Sequence, residues 1–402
     1  MMALLLDTRL LLRRVQDLRS LTPRRHRVKD KWAATRPKYP PTSLALQHFD
    51  ATYSVQLGQL WPSVRVALLS ERKYGALLNN FSSDDDVLAD LRAKGCSDFI
   101  NDTDTEAQLG LKQDSESVVQ EESKEDAVKK SDVDGQQLSP LKLSPNIKCA
   151  VFPRGDITQF KPARPDMYRL LGYYLLDAAS VLPCLALNVQ EGHYVLDLCA
   201  APGGKALAIL QAQAIRFLCV NDTSASRTTR LRQVLHSYVP KEFLNEKNLR
   251  ITSFDGTKWG EIETNTFDRV LVDVPCTTDR HSLTEDDNNI FNKTRTGERR
   301  RLPQVQLELL LAGIQAACPG GEIMYSTCTL SQIQNLRVVE QAIHLAKEKH
   351  NITLEVVDLR PLTHMFRKTF HFAPTLHLGE MVIPHLAANF GPIYMCKLRR
   401  LT

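Results

Sequence analysis

Residues 194–222 read YVLDLCAAPGGKALAILQAQAIRFLCVND, and their order settles the class of fold. A short apolar run is followed by a glycine pair, then by apolar residues at helical spacing, then by a second apolar run that ends in Asn221-Asp222. That is strand, helix, strand. The alternation continues with SASRTTRLRQVLHSYV (224–239) as a helix, NLRITSFDG (248–256) and FDRVLVDVPC (267–276) as strands, LPQVQLELLLAGIQAACPGG (302–321) as a long helix and EIMYSTC (322–328) as a fifth strand. Repetition of this unit predicts an α/β fold with a mostly parallel sheet covered by helices on both faces. Ligands of such sheets lie beyond the carboxyl ends of the strands, so polar residues there are the first candidates for function.

Upstream, MYRLLGYYLLDAASVLPCLAL (167–187) carries apolar residues at helical spacing and is expected to be a helix. CAVFPRGDITQF (149–160) reads as a short strand and turn. Residues 32–101 are expected to form a helical N-terminal extension, with Pro62 starting a new helix. Between these blocks, residues 102–134 carry eleven acidic side chains against four lysines, a net −7 within a chain of net +5. The segment 102–145 is therefore expected to be an acidic disordered linker, too polar to bury a core. The remainder of the chain carries +12, a balance suited to a polyanionic partner. The expected division is thus a targeting segment 1–31, a helical extension 32–101, a linker 102–145 and a main domain 146–402.

The N-terminus, MMALLLDTRLLLRRVQDLRSLTPRRHR, alternates arginines with leucines and carries only Asp7 and Asp17 as acids. An arginine-rich, acid-poor amphipathic helix suits mitochondrial import, with cleavage before Trp32 and a matrix location. A basic helix that binds RNA or a membrane surface is the alternative reading. No apolar run approaches the ~20 residues of a spanning helix, so no membrane association is expected. Nine cysteines without a C-x-x-C pair argue against a zinc module or a disulfide framework and for a reducing compartment; no metal is expected.

At the strand ends the residues become specific. Gly203 and Gly204 follow the first strand and open a helix, where a ligand is able to approach backbone N–H groups. Asp222 closes the second strand, where a carboxylate accepts hydrogen bonds from ribose hydroxyls, and Arg227 lies five residues on, placed to orient it or to reach the ligand. Asp255-Gly256 closes the third strand and Asp273 the fourth. Such an arc of polar strand ends fits a nucleoside cofactor. The fourth strand runs on to Cys276 and the fifth ends in Cys328, both facing the same crevice, whereas Cys184, Cys219, Cys318 and Cys396 are expected to be ordinary core thiols.

DLCAAPGGK (197–205), VDVPCTTDRHS (272–282) and YSTCTLS (325–331) resemble the signature motifs of the NOP2/Sun family of RNA cytosine-5 methyltransferases. The resemblance runs from about residue 165 to the C-terminus. PRRHRVKDKWAAT (23–35), WPSVRVALLSERKYGALLNNF (61–81) and ANFGPIYMCKLRRLT (388–402) resemble its mitochondrial ribosomal-RNA branch in particular. The resemblance implies a Rossmann-like class I methyltransferase fold and S-adenosyl-L-methionine as cofactor. It implies Gly203, Gly204, Lys205, Asp222, Arg227, Asp255, Gly256 and Asp273 in the cofactor pocket. It implies that Cys328 attacks carbon 6 of cytosine as a thiolate, that Cys276 serves product release, and that Asp273 stabilises charge on the base. Lys205 would add positive charge on the cofactor side. The implied partners are ribosomal RNA, the mitochondrial ribosomal subunits and a helical-repeat protein of the mitochondrial transcription termination factor family.

The loop 281–301 between the cysteine motifs offers Lys293, Arg295, Arg299, Arg300 and Arg301 to phosphates. One departure from the family stands out: many members have Asn-Glu seven residues after the nucleophile, and here Asn335 is followed by Leu336. Three alternatives stay open on sequence alone. They are a mitochondrial transfer-RNA substrate, an assembly factor that acts mainly by binding, and a DNA enzyme using the Pro-Cys thiol as nucleophile.

Overall fold

The computed structural model describes residues 39–83, 86–102, 143–374 and 376–402. The expected targeting segment and most of the expected acidic linker lie outside the described residues. The described residues from Pro41 to Thr402 form one compact unit.

The core is a mixed sheet in the order β10-β12-β9-β8-β5-β6-β7. Its parallel part comprises β5 (Tyr194–Asp197), β6 (Phe217–Asn221), β7 (Leu249–Thr252), β8 (Phe267–Asp273) and β9 (Ala317–Thr327). Three antiparallel strands complete one edge: β10 (Leu354–Val357), β11 (Glu380–Val382) and β12 (Ile393–Arg400). The chain proceeds from β5 outward through β6 and β7, then crosses to β8 and β9 on the other side of β5. The β5–β8 boundary is therefore the topological switch point, where a doubly wound sheet opens a crevice.

Alternation of side chains along the strands builds a core on each face. In β8, Val270 and Val272 enter one apolar cluster and Leu271 the other, all with no exposure. Period-two projection from a buried parallel strand requires this, because both faces carry helices. The helix α5 (Gly204–Gln211) follows β5, and α6 (Ala225–Tyr238) follows β6. Ser224 caps α6 by accepting a hydrogen bond from the Arg227 amide.

Three expectations about elements are corrected. First, the 167–187 segment is not one helix: Tyr173–Leu176 is a strand, β4, and only Leu182–Leu187 is α-helical (α4). β4 pairs antiparallel with β1 (Gly75–Leu78), so a strand partner distant in sequence overrides the helical spacing. Secondly, the 32–101 region is helical at α1 (Pro41–Leu57), α2 (Trp61–Leu69) and α3 (Val87–Ala93), but it also supplies β1 and β2 (Ser97–Asp98). These two strands join β3 (Cys149–Val151) and β4 in a second sheet, ordered β2-β3-β1-β4. The boundary expected at residue 146 therefore falls inside a sheet. Thirdly, the loop expected at 281–301 is largely helical, with α8 (Asp279–Thr284) at one end and the long helix α9 beginning at Thr296. α9 runs to Ala316 and includes Pro303, which costs it one backbone hydrogen bond without ending it. Between β7 and β8 lies a single helical turn, α7 (Trp259–Ile262); α10 (Leu336–His350) and α11 (Arg360–Phe366) complete the helices.

Among the described residues no helix is long and apolar enough to cross a membrane, and no cluster of His, Cys, Asp and Glu suits a metal ion.

A buried arginine ties the N-terminal helices to the main sheet. Arg280 donates to the Gly391 carbonyl at 3.0 Å, to the Ala67 carbonyl at 3.4 Å and to the Asn389 side chain at 2.9 Å. Asn389 in turn donates to Ala67 and Glu71 carbonyls. Arg280→Ala would leave buried acceptors without donors, at an expected cost of about 3 kcal/mol. Denaturant unfolding of the variant should show this as a lower midpoint at unchanged slope.

Candidate active site

A cavity of about 440 Å³ opens at the carboxyl ends of β5, β6 and β8, over the switch point. That volume lies in the range of small-molecule sites. Asp222, Arg227, Asp255, Gly256, Asp273, Cys276 and Cys328 all line it. Seven residues spread over more than a hundred positions of sequence thus meet in one place.

The acidic end is set up by hydrogen bonding. Asn221 closes β6 by donating to the Leu198 and Phe254 carbonyls and accepting from the Phe254 amide, which fixes three strand ends together. Asp222, next in line, is only 2% exposed. Its Oδ2 faces the Arg227 guanidinium at 3.2 Å, and Arg227 is anchored by donating to the Ala201 carbonyl. Arg227 therefore both pairs with the carboxylate and lines the cavity. Asp255 caps a short 3-10 turn by accepting from the Thr257 amide. A β-carbon on Gly256 would lie 2.8 Å from Leu309 of α9, so this position requires glycine to let the helix close over the pocket.

The glycine pair is closely packed by protein. Gly203 has φ +119°, and a β-carbon there would meet Leu231 of α6 at 2.9 Å; one on Gly204 would meet the Tyr174 ring at 3.0 Å. Neither glycine lines the cavity, nor does Lys205. The pair serves the turn and the close packing of α5 against α6 and β4. Its absent side chains make room for Leu231 and Tyr174.

Lys205 reaches under the floor of the cavity. Its Nζ lies 2.8 Å from Asp273 Oδ2, and Ser326 donates to Asp273 Oδ1 at 2.7 Å. Burial alone would lower the Lys205 pKa, but the adjacent Asp273 carboxylate outweighs it and holds the ammonium above lysine's ordinary value. Asp273 thereby links the cofactor side of the crevice to the thiol side.

The thiol side is compact. Cys276 Sγ and Cys328 Sγ are 3.3 Å apart, and the Thr278 amide donates to Cys276 Sγ. The hydrogen bond to Cys276, followed by burial, holds the Cys328 pKa well above the usual thiol range, and the pull of Lys205 in the other direction does not offset them. The neighbouring thiol and burial thus oppose the thiolate at Cys328, while Lys205 favours it. Asn335, seven residues on, accepts from Thr327 at 2.6 Å and donates to the Thr329 carbonyl at 2.8 Å, clasping the loop that carries Cys328. Leu336 simply opens α10, so the departure from Asn-Glu leaves this clasp intact.

Of the other cysteines, Cys184, Cys219 and Cys396 are buried, whereas Cys318 is partly exposed beside Asp268. Cys199 went unremarked in the sequence because it sits inside the turn motif; it lines the cavity. The basic cluster divides. Arg295 is committed to both carboxylate oxygens of Glu298, and Arg299 lies over the Phe291 ring at 4.5 Å. Lys293, Arg300 and Arg301 are exposed.

One residue beneath the site was missed altogether. Asp197 is fully buried, and among the described residues no side chain donates a hydrogen bond to its carboxylate. Burial, with Asp273 nearby and Lys205 opposing, raises its pKa to about 8. An unfolded aspartate titrates near about 4. Between those values the unfolded state loses a proton that the folded state keeps, so stability from this group is full below pH about 4 and is lost as pH rises to about 8. Asp197→Asn should therefore flatten the fall of Tm between pH 5 and 8, measured by thermal melting against wild type. An equal slope in both proteins would contradict the buried neutral carboxyl.

A nucleoside sulfonium fits the cavity on the protein's own chemistry. A buried, pre-oriented carboxylate suits vicinal hydroxyls, and the acidic arc suits a cation.

Residues 184–398 match the family model described as 16S rRNA methyltransferase RsmB/F. The chain is 51% identical over 399 residues to the 5-cytosine rRNA methyltransferase NSUN4 of Xenopus laevis, covering 97% of this chain and 98% of that protein. It is 52% identical to the protein of the same name from Bos taurus, over 94% of each. It is 32% identical to the mouse mitochondrial tRNA (cytosine(34)-C(5))-methyltransferase, over 89% and 90% of the two chains. Among solved structures, a methyltransferase homologue from Pyrococcus horikoshii superposes with a TM-score of 0.57 at 19% identity, covering 91% of this chain and all of that one, which shows the common fold. With the α/β sheet, the cavity and both cysteine motifs in place, the chain belongs to the RsmB/F, or NOP2/Sun, family of S-adenosylmethionine-dependent RNA cytosine-5 methyltransferases.

Proposed function

We propose that this enzyme methylates carbon 5 of a cytosine in mitochondrial small-subunit ribosomal RNA, through a covalent bond between Cys328 and the base. The observation that carries the reading is the pair of thiols 3.3 Å apart on the wall of a carboxylate-lined cavity. The ribosomal substrate is supported by half-identical relatives named for it, against about one-third identity to the transfer-RNA enzymes. The mitochondrial matrix is supported by the arginine-rich N-terminus, residues 1–31, read as a targeting segment.

Bound S-adenosylmethionine supplies an electrophilic methyl group. Asp222, paired with Arg227, would hold the ribose hydroxyls, and Asp255 and Gly256 would meet the adenine edge. The target base leaves its stack, at a cost of a few kcal/mol, and enters between Asp273 and the thiols. Cys328, once deprotonated, adds through Sγ to carbon 6, which makes carbon 5 nucleophilic. Asp273 hydrogen-bonds the base near nitrogen 3, with Lys205 fixing the carboxylate. After transfer Cys276, its own proton already given up to solvent, takes the carbon 5 proton as a thiolate, the carbon 6–sulfur bond to Cys328 breaks, and the ring becomes aromatic again. Arg300 and Arg301, which are exposed, would meet phosphates.

A role in mitochondrial ribosome assembly, and site selection with a helical-repeat partner of the mitochondrial transcription termination factor family, belong to the same proposal. Their support is the resemblance of the 61–81 and 388–402 blocks to the ribosomal-RNA branch. The test is methyl transfer from labelled cofactor to mitochondrial small-subunit ribosomal RNA and to mitochondrial transfer RNA in parallel. Label in 5-methylcytosine of the ribosomal RNA, sharpened to one position by the partner, is expected. Preference for transfer RNA would overturn the substrate, and full selectivity without the partner would remove the case for it.

A further inference from the structure

Beneath the two thiols lies a buried hydrogen-bond network that no step of the reaction uses. The residues that follow the cysteines, Thr277 and Thr329, are hydrogen-bonded to each other through their hydroxyls at 2.8 Å. Asp279 joins both loops: its Oδ1 accepts from Thr277 Oγ1 at 2.7 Å and its Oδ2 from the Leu330 amide at 2.8 Å. The Asp279 amide donates to the Cys328 carbonyl. The remaining donor comes from outside the methyltransferase motifs. Tyr53, on α1, donates its hydroxyl to Asp279 Oδ2 at 2.9 Å and lies 3.2 Å from Thr329 Oγ1. One turn on, Gln56 donates to the Leu330 carbonyl at 2.6 Å and accepts from the Gln332 amide.

All four members, Tyr53, Thr277, Asp279 and Thr329, are essentially buried. Among the described residues Asp279 has no ion pair, so its carboxylate depends on these donors. An acid held without a cation in the interior is costly unless every lone pair is answered. Its place in the sequence, directly after the cysteine motif, puts that cost under the thiols. Hydrogen bonds of this kind fix register: if the 277–279 loop slips against the 329–330 loop, three of them break together.

We propose that Tyr53 is a positioning residue for the reaction, acting through Asp279 to hold the Cys276 and Cys328 loops in register. The N-terminal helix is then part of the catalytic apparatus without touching substrate. The proposal rests on the assignment of the two cysteines made above. Displacement of a reacting atom by a fraction of an ångström to one ångström costs about ten- to a hundredfold in rate.

The test compares Tyr53→Phe with Tyr53→Leu in the full chain. Phenylalanine keeps the stacking on Phe49 at 4.9 Å and the contact with Trp61, and removes only the hydroxyl. Two quantities are read: kcat and KM for methyl transfer, and the rate at which diamide oxidises Cys276 and Cys328 to a disulfide, with thermal melting as control. For Tyr53→Phe we expect kcat about tenfold lower, KM for S-adenosylmethionine unchanged, a changed rate of disulfide formation and a Tm close to wild type. Tyr53→Leu should lose Tm as well. Wild-type kcat and pairing rate in Tyr53→Phe would overturn the proposal and leave the helix as packing alone. A changed pairing rate with wild-type kcat would also overturn it. The pairing rate reports loop register whichever thiol is the nucleophile. A failure of the cysteine roles, seen as full transfer by Cys328→Ala, is therefore distinguishable from a failure of the Tyr53 assignment.

Discussion

Cys328→Ala is expected to lower methyl transfer by at least about ten-thousandfold, with cofactor affinity unchanged. Removing a covalent nucleophile removes the route by which carbon 5 gains electron density, and losses of this order follow when such a residue is deleted. Cofactor binding should survive because the Asp222–Arg227 pair and the 255–256 turn lie on other strand ends. The pH dependence of the wild-type enzyme should point the same way. Cys276 and burial raise its thiol pKa, so the thiolate fraction rises about tenfold per pH unit below that pKa. Single-turnover transfer should therefore climb through neutral pH into the alkaline range. A rate flat across pH 6 to 9 would mean that deprotonation of Cys328 does not limit the reaction.

The second large effect is expected at Asp273. Asp273→Asn removes the charge that holds Lys205 and leaves the ammonium buried without a counter-ion. Breaking one partner of such a pair costs about 3–5 kcal/mol when buried; with the Asp273 side chain 29% exposed, the lower part of that range applies. Loss of a preorganised group that stabilises charge on the base adds about a hundred- to a thousandfold in kcat/KM. Lys205→Met in the same chain separates the two. The double variant should recover stability relative to Asp273→Asn, because no buried charge is left alone, but not activity. Recovery of activity would show that Asp273 acts only as the counter-ion of Lys205.

Much of this site was legible in the sequence because strand-end residues have nowhere else to go. In a doubly wound sheet the carboxyl ends converge, so Asp222, Asp255, Asp273, Cys276 and Cys328 were bound to share a crevice once the βαβ alternation was read. What escaped was tertiary. YYLL at 173–176 has helical neighbours, and only its pairing with Gly75–Leu78, about a hundred residues earlier, makes it a strand. The same pairing hides the second sheet, whose strands lie on both sides of the acidic stretch. The glycine pair was legible as a turn but not as a packing device, since Leu231 and Tyr174 approach it from elements remote in sequence. Tyr53 and Asp279 gave no spacing signal at all; their bond joins residues 226 positions apart.

The central claim, a covalent bond from Cys328 to cytosine, is tested most directly by trapping. Cys276→Ala protein would be incubated with S-adenosylmethionine and mitochondrial small-subunit ribosomal RNA, resolved under denaturing conditions, and the RNA-linked peptide sequenced by mass spectrometry. A stable adduct carried on Cys328, absent from Cys276→Ala/Cys328→Ala, is the predicted result. An adduct that forms on Cys276 in Cys328→Ala protein, and vanishes in Cys276→Ala, would exchange the two roles and contradict the mechanism.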